Sequence, residues 1–271
     1  MSTAAQPNDH YDVVILGGGL AGQTLARHLL LETERRILLL EYLDELPAPQ
    51  QKVGESSVQL AGYYFSKVLD LEELLFHEHF MKYNLRFYWK SGDRPNDAFE
   101  DYSQAYIRPF SNIASYQLDR NAFEGALLER NGRSERFTHQ LGARRIKAPL
   151  EGPGPHPVTY SAAGRDHRVT ADWVVDTTGR MRFVANRRQL QRDNPIHHGA
   201  YFWWVDGLVD IEKLSDQSRR QQRQRASRRQ TGHLPFWLAT NHFMGRGLLV
   251  LGHSAAGQDQ PRPGLRPLPG R

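Results

Sequence analysis

The sequence predicts an α/β fold built on a parallel sheet, and three observations predict it. A short apolar run at residues 11–16 (YDVVIL) ends in glycines, and the apolar positions Leu25, Leu29 and Leu30 then recur at helical spacing. A second apolar run, 37–40 (ILLL), follows and closes on Glu41. Apolar runs without alternation are what strands buried on both faces require, so the three pieces read as a β-α-β unit.

The chain continues in the same manner. Pro47, Pro49, Gln50 and Gln51 mark a loop, after which residues 58–75 read as helix and 84–89 (NLRFYW) as strand. Residues 92–111 are polar and irregular, and 114–118 suit another strand. Asp119 then opens a helical stretch that ends near Asn131 and Gly132, where glycine can take the left-handed cap. Residues 137–175 read as β-ribbon segments broken by Gly-Pro and Ala-Gly turns, ending in the apolar strand 173–175 and the turn that begins at Asp176. The aromatic runs 201–205 (YFWWV) and 235–238 (PFWL) are strand candidates for a second, sheet-based domain. There is no internal repeat.

Composition narrows the chemistry. A chain of 271 residues with 39% hydrophobic content can bury a sizeable core, while 15 prolines and a negative mean hydropathy point to loose ends. With no cysteine, disulfides, thiolate zinc sites and thiol redox chemistry are excluded, so any redox role needs a borrowed cofactor. Residues 1–10 lack a basic region followed by an apolar one, and no apolar run approaches the roughly 20 residues of a membrane span, so a cytoplasmic address without membrane attachment is expected. Six arginines between Arg219 and Arg229 raise nucleic acid as a partner. They lack interleaved aromatics for base stacking, and a solvated helix or loop is the preferred reading, with no nucleic-acid partner.

The segment 17–22 (GGGLAG) places G-x-G-x-x-G between a strand and a helix. Gly17 makes the turn, Gly19 lets a pyrophosphate approach the backbone, and Gly22 allows close helix packing, while the helix start at Leu20 and Ala21 offers its positive dipole end. Glu41 ends the second strand about 20 residues later, where a carboxylate can accept from adenosine ribose hydroxyls. The alternative is a glycine-rich turn without a ligand. The acidic ribose partner disfavours a 2′-phosphate, which leaves FAD or NAD.

Residues 53–56 (VGES), shortly after the second strand, together with the 17–22 loop, resemble the flavin-dependent tryptophan halogenase family and its monooxygenase relatives. The resemblance continues in the family's order through 82–89 (KYNLRFYW), 115–120 (SYQLDR), 174–180 (VVDTTGR) and 240–245 (TNHFMG), and covers nearly all of residues 10–247. It implies FAD as the cofactor.

It also implies roles for particular residues. Gly54, Glu55 and Ser56 match the strap that runs beside the flavin in the family; otherwise Ser56 or Ser57 is an ordinary helix N-cap. Lys82 falls where the family's K-x-x-x-[KR]-F pattern has its catalytic lysine, which holds or carries hypohalous acid; otherwise it sits at a strand start. Arg120 resembles a position near the FAD pyrophosphate; otherwise it forms a salt bridge at a helix start. Asp176 and Gly179 match a second nucleotide-domain signature, in which Asp176 orders a turn rather than performing chemistry. His77 and His79, and the pair His197 and His198, lack a third ligand at helical spacing, so no metal is expected.

The likeness stops after Gly247. The family continues with an aromatic W-x-W-x-I-P strand, whereas residues 248–271 hold no aromatic residue and are rich in Pro, Gly and Arg, a disordered composition. Permitted codons from Leu248 onward can be chosen so that the neighbouring frame spells YWFWVIPL, and then QGKTSLGLVYD through Arg266. The chain therefore reads as truncated or out of frame after about residue 247. That implies loss of the family's catalytic glutamate and of a later glycine-aspartate segment at the flavin.

The resulting expectation is an α/β protein with a Rossmann-like FAD-binding domain of the glutathione-reductase type, formed by residues 10–82 and 114–182. Residues 83–113 and 183–247 would form an incomplete β-sheet-based substrate domain, and 248–271 a disordered tail. By resemblance, reduced FAD and O2 give a C4a-hydroperoxide that oxidises halide or hydroxylates a small organic substrate, with electrons from a separate flavin reductase or NAD(P)H. An FAD-dependent dehydrogenase or reductase on the same fold, and an inactive fragment, are the alternatives.

Overall fold

The computed structural model describes residues 10–48, 50, 52–83, 85–92, 95–106, 113–195, 199–205, 207, 209–215, 235–246 and 248–252. In chain order the first elements are β1 (His10–Leu16), α1 (Leu20–Glu32), β2 (Ile37–Leu40), α2 (Gln59–Tyr63), α3 (Glu72–Glu78), β3 (Phe80–Lys82), β4 (Leu85–Trp89), β5 (Ser103–Tyr106) and β6 (Ser115–Gln117). They are followed by α4 (Arg120–Gly132), β7 (Phe137–Gln140), β8 (Arg144–Lys147), β9 (His156–Ala162), β10 (Arg165–Asp176), α5 (Phe183–Arg187), β11 (Thr240–Gly245) and β12 (Leu248–Gly252). Two compact units result, one of Met1–Val53 with Arg120–Trp203 and the other of Gly54–Asp119 with Trp204–Arg271.

The first unit is built on a six-stranded sheet in the order β7-β2-β1-β10-β9-β8. The four strands β7, β2, β1 and β10 run parallel, and β9 and β8 continue the sheet antiparallel. Successive side chains of the unbroken apolar runs point to opposite faces of the sheet, so both faces are dry. Val14, Leu16, Leu38 and Leu40 meet Val158, Tyr160 and Val169 on one face, whereas Val13, Ile15, Ile37 and Leu39 meet Ala26 and Leu30 of α1 on the other. The expected β-α-β unit is present, and residues 137–140 join it as a parallel neighbour of β2 rather than as a ribbon.

The second unit contains a four-stranded sheet, β12-β11-β4-β5, and a separate ribbon of β3 with β6. Strands β11 and β4 are parallel, with β12 and β5 added antiparallel at the edges. Residues 58–75 form two helices rather than one: α2 runs into a π-helical turn at Tyr64–Val68, and Asp70, at φ 54°, breaks the path before α3.

Four expectations are corrected here. Gly54–Asp119 falls as one block in the second unit, so residues 54–82 part from residues 10–53, with which they were expected to form one domain. The cause is backbone pairing: Ser57 N–H donates to Tyr116 O, Leu118 N–H donates to Glu55 O, and Lys82 faces Ser115 across the ribbon. Residues 183–203 fall in the first unit, where Phe183 packs against the core of the sheet. Residues 248–252, assigned to a disordered tail on composition, form β12, because the apolar LLVLG run finds a strand edge in β11. The aromatic runs are not strands: 201–205 has no regular structure, with Tyr201 95% and Trp203 73% exposed, and Phe236–Leu238 is a single 3-10 turn. Aromatic β-propensity measures fit to a half-buried pleat, and 201–205 has no strand beside it among the described residues.

Candidate functional site

In the first unit the C-terminal ends of three parallel strands meet. Register puts Leu40 and Asp176 on either side of Leu16, so the segments after β1, β2 and β10 leave one edge of the sheet together. In open α/β sheets that edge is where ligands bind.

Gly17 leaves β1 at φ 108°, and a Cβ there would stand 2.6 Å from Thr177 O. A Cβ on Gly22 would stand 2.0 Å from Gly17 O. Both glycines are therefore demanded by the protein's own packing. Gly19 differs: its backbone is extended, at φ −76° and ψ −169°, and a Cβ there would meet no atom within 4 Å. The fold does not need glycine at this position, whereas close approach of a pyrophosphate to the backbone does. The first helical bond of α1 runs from Gln23 N–H to Gly19 O, so the N–H groups of Leu20, Ala21 and Gly22 remain available at the positive end of the helix.

The Glu41 carboxylate sits over this loop. Its Oε2 accepts from Gly18 N–H at 2.5 Å and its Oε1 from Leu43 N–H at 2.8 Å. A carboxylate offers about four lone-pair directions. Two backbone bonds fix it and leave the others for hydroxyl donors. The donor and acceptor set therefore fits a dinucleotide.

Arg120 begins α4 and is held by Glu124, one turn on, with Nη1 donating to Val53 O at 3.0 Å. The helix-start salt bridge is thus present. Lys52 binds the other oxygen of the same carboxylate, so two cations face one anion and the cluster keeps a net positive charge. Asp176 orders the turn after β10. Its Oδ1 accepts from the N–H and hydroxyl of Thr178 and its Oδ2 from Val184 N–H. Burial would push this carboxyl up, but these bonds outweigh it and hold it below the ordinary carboxylate range. Thr177 Oγ1 donates to the Leu16 and Gly17 carbonyls at the glycine turn, and Gly179 takes φ 59°.

The second unit brings another group of residues together. Lys82, last in β3, directs Nζ at Ser56 Oγ, 2.9 Å away, and at Ser57 O, 2.8 Å away. Ser56 Oγ lies 2.8 Å from Thr240 Oγ1 at the start of β11. No ion pair among the described residues involves Lys82, and burial pushes its ammonium below the ordinary lysine range. Gly54 takes φ 108°, and its N–H donates to the buried Glu55 carboxylate at 2.9 Å. Neither Ser56 nor Ser57 caps α2, whose N-cap is Val58. Ser57 Oγ instead accepts from Tyr116 N–H.

Three contributors were not singled out from sequence. Glu124 was findable, because an acid four residues after Arg120 on a helix is a readable pair. Lys52 had no local signal, and Thr240 stood in the family-like segment 240–245 with nothing to link it to Ser56. Among the described residues no group of three or more His, Asp or Glu side chains could hold a metal ion. No helix there is long and apolar enough to cross a membrane. His197, His198 and Arg219 to Arg229 lie outside the described residues.

Residues 12–148 match the family model described as tryptophan halogenase. The flavin-dependent halogenase chlA of Dictyostelium discoideum is 27% identical over 268 residues, covering 89% of this chain and 42% of that protein. The putative FAD-dependent oxidoreductase LodB of Marinomonas mediterranea is 28% identical over 177 residues, covering 64% of this chain and 44% of that one. The chain thus spans less than half the length of these relatives. Among solved structures, the halogenase PltM in complex with phloroglucinol and FAD aligns with a TM-score of 0.59 over 86% of this chain and 46% of that one, at 16% identity. At that identity the likeness concerns the fold.

Proposed function

The chain belongs to the tryptophan halogenase family, and on that premise we propose that it carries the FAD-binding and oxidant-handling residues of a flavin-dependent halogenase or monooxygenase acting on a small organic molecule. The observation that carries the reading is Gly19, a bare backbone that the protein's own packing does not require, between a helix start and the anchored Glu41 carboxylate. The flavin dependence of the relative chlA favours FAD over NAD.

In this reading the N–H groups of Gly19, Leu20, Ala21 and Gly22 bind the pyrophosphate, Glu41 accepts from the ribose, and the positive Lys52, Arg120 and Glu124 cluster adds electrostatic attraction for the phosphates. Asp176 and Gly179 shape the turn beside the glycine loop, and Gly54, Glu55 and Ser56 are the family's strap. Bound and reduced FAD supplies activation of O2, with electrons from a separate flavin reductase or NAD(P)H. Lys82 handles the oxidised halide. As an ammonium it donates an N–H to the oxidant oxygen, and burial raises the share of free amine, which is a nucleophile toward electrophilic halogen.

The test is the absorbance spectrum of the purified chain after incubation with FAD and desalting. A retained flavin band supports the reading; a folded, colourless protein overturns FAD binding by this chain. The relative LodB favours a second reading, an FAD-dependent dehydrogenase or reductase in which Lys82 has no oxidant to carry. Product mass with and without chloride or bromide separates the two.

A further inference from the structure

A lysine that must carry an oxidant has to be seated without being neutralised. The seat of Lys82 is uncharged. Nζ has three N–H directions, and two of them end on the Ser56 hydroxyl and the Ser57 carbonyl. The third has no partner among the described residues. The titratable residues nearest to it in sequence and strand register are His79 and Tyr83, which flank β3, and Tyr116 on β6, while Glu55 precedes Ser56. None forms an ion pair with it among the described residues, and burial is the cause that shifts it.

The nature of the acceptor matters. A carboxylate at the Ser56 position would hold the lysine as ammonium throughout the neutral range, because an opposite charge favours the charged form. A hydroxyl both donates and accepts. With Lys82 charged, Nζ–H donates to Ser56 Oγ, and the Ser56 proton turns toward Thr240 Oγ1, 2.8 Å away. With Lys82 neutral, the Ser56 proton turns to the Nζ lone pair, and Ser56 Oγ accepts from the Thr240 hydroxyl instead. Both states use the same heavy-atom positions, so the amine keeps its place and its free N–H direction when its charge changes.

We propose that Ser56 and Thr240 are positioning residues of Lys82, forming a two-hydroxyl relay that seats its ε-amine in both protonation states. Ser56, expected from family resemblance at the flavin, thereby acts on the lysine. The inference rests on the reading of Lys82 as the oxidant-handling amine, but its test does not need flavin.

The experiment is competitive acetylation of the full-length chain with acetic anhydride from pH 7 to 11, reading modification of Lys82 by peptide mass spectrometry against exposed lysines as internal standards. Only the neutral amine reacts, so the midpoint reports its pKa. The bond from the ammonium to Ser56 is charge-assisted and stronger than the one the neutral amine accepts, so Ser56→Ala is expected to lower the midpoint by about one pH unit. Thr240→Val should lower it by less. Ser56→Thr and Thr240→Ser, which keep the hydroxyls, should return it to the wild-type value. Circular dichroism establishes folding, and Thr240→Val, which removes the other hydroxyl, keeps the test decisive if Ser56→Ala does not fold. A Lys82 midpoint that stays put in folded Ser56→Ala and Thr240→Val, or that moves equally in Ser56→Thr, overturns the relay. A shift with no flavin retained leaves the relay standing and sinks the FAD reading. Flavin retention without a shift does the reverse.

Discussion

Arg120 and Glu124, one turn apart on α4, form a closed pair in which Nε and Nη2 both donate to a single carboxylate oxygen, at 3.1 and 2.5 Å. The Glu124 side chain is 0% exposed, and Lys52 occupies its other oxygen. Removing the carboxylate leaves two cations without their anion, which for buried pairs costs about 3–5 kcal/mol. Glu124→Ala is expected to lower the urea-unfolding free energy by about 3 kcal/mol. Lys52→Ala should cost about 1 kcal/mol, because Lys52 is partly exposed and Arg120 remains on the carboxylate. Nearly equal losses for the two variants would falsify the view that Glu124 is the centre of the cluster.

The glycine loop separates folding from ligand binding residue by residue. Gly22→Ala forces a methyl to 2.0 Å from Gly17 O, and Gly17→Ala places one at 2.6 Å from Thr177 O with φ positive. Both should prevent stable folding. Gly19→Ala meets open space in an extended conformation and should cost about 1 kcal/mol or less as an N-cap change. FAD retention should nonetheless fall at least tenfold in Gly19→Ala, because the methyl occupies the approach to the backbone. Melting curves paired with equilibrium FAD titration read both effects. A Gly19→Ala protein that binds FAD like wild type would remove the main support for the proposed cofactor site.

Much of this was legible because it is written locally. The 11–16 and 37–40 runs, the glycine spacing and Glu41 lie within about 30 residues, a β-α-β unit, and each local preference agrees with the parallel sheet. What escaped is what the chain assembles at long range. Thr240 reaches Ser56 across 184 residues, and Lys52 reaches Glu124 across 72. The split of residues 54–119 from the first unit likewise rests on the ribbon of β3 and β6, whose two three-residue strands carry almost no periodic signal. Composition misled at 248–252, where the available edge of β11 decides, and at 201–205, where aromatic content without a partner does not make a strand.

Tyr88, on β4, is 1% exposed and donates its hydroxyl proton to Asn241 Oδ1 at 3.0 Å. Burial pushes its phenol up to about 12, against an ordinary value near 10. A raised folded value means that stability is complete below the unfolded pKa and is lost as pH rises through the folded one. The chain should therefore lose on the order of 2–3 kcal/mol through this group between about pH 10 and pH 12. Tyr88→Phe should be about 1 kcal/mol less stable at neutral pH, from the lost hydrogen bond, and should overtake wild type at alkaline pH. Guanidinium denaturation at pH 7 and pH 11 measures the crossing, and parallel curves would sink the assignment.

Asp176 sets the opposite end of the pH range. Burial works against its charge, but the hydrogen bonds from Thr178 Oγ1, Val184 N and Thr178 N prevail, so its folded pKa lies below the ordinary carboxylate value. A depressed folded value contributes stability that is complete above the unfolded pKa, near pH 4, and is lost as pH falls through the folded one. Asp176→Asn keeps the shape and one acceptor oxygen but has no proton to take up. It should be less stable than wild type at pH 7, and the gap should narrow as pH drops from about 5 to 2. Because the turn carries Gly179 and abuts the glycine loop through Thr177, the same variant should weaken FAD retention at pH 7 without unfolding the chain. A gap in stability that stays constant down to pH 2 would mean that the carboxylate charge plays no part in holding the turn.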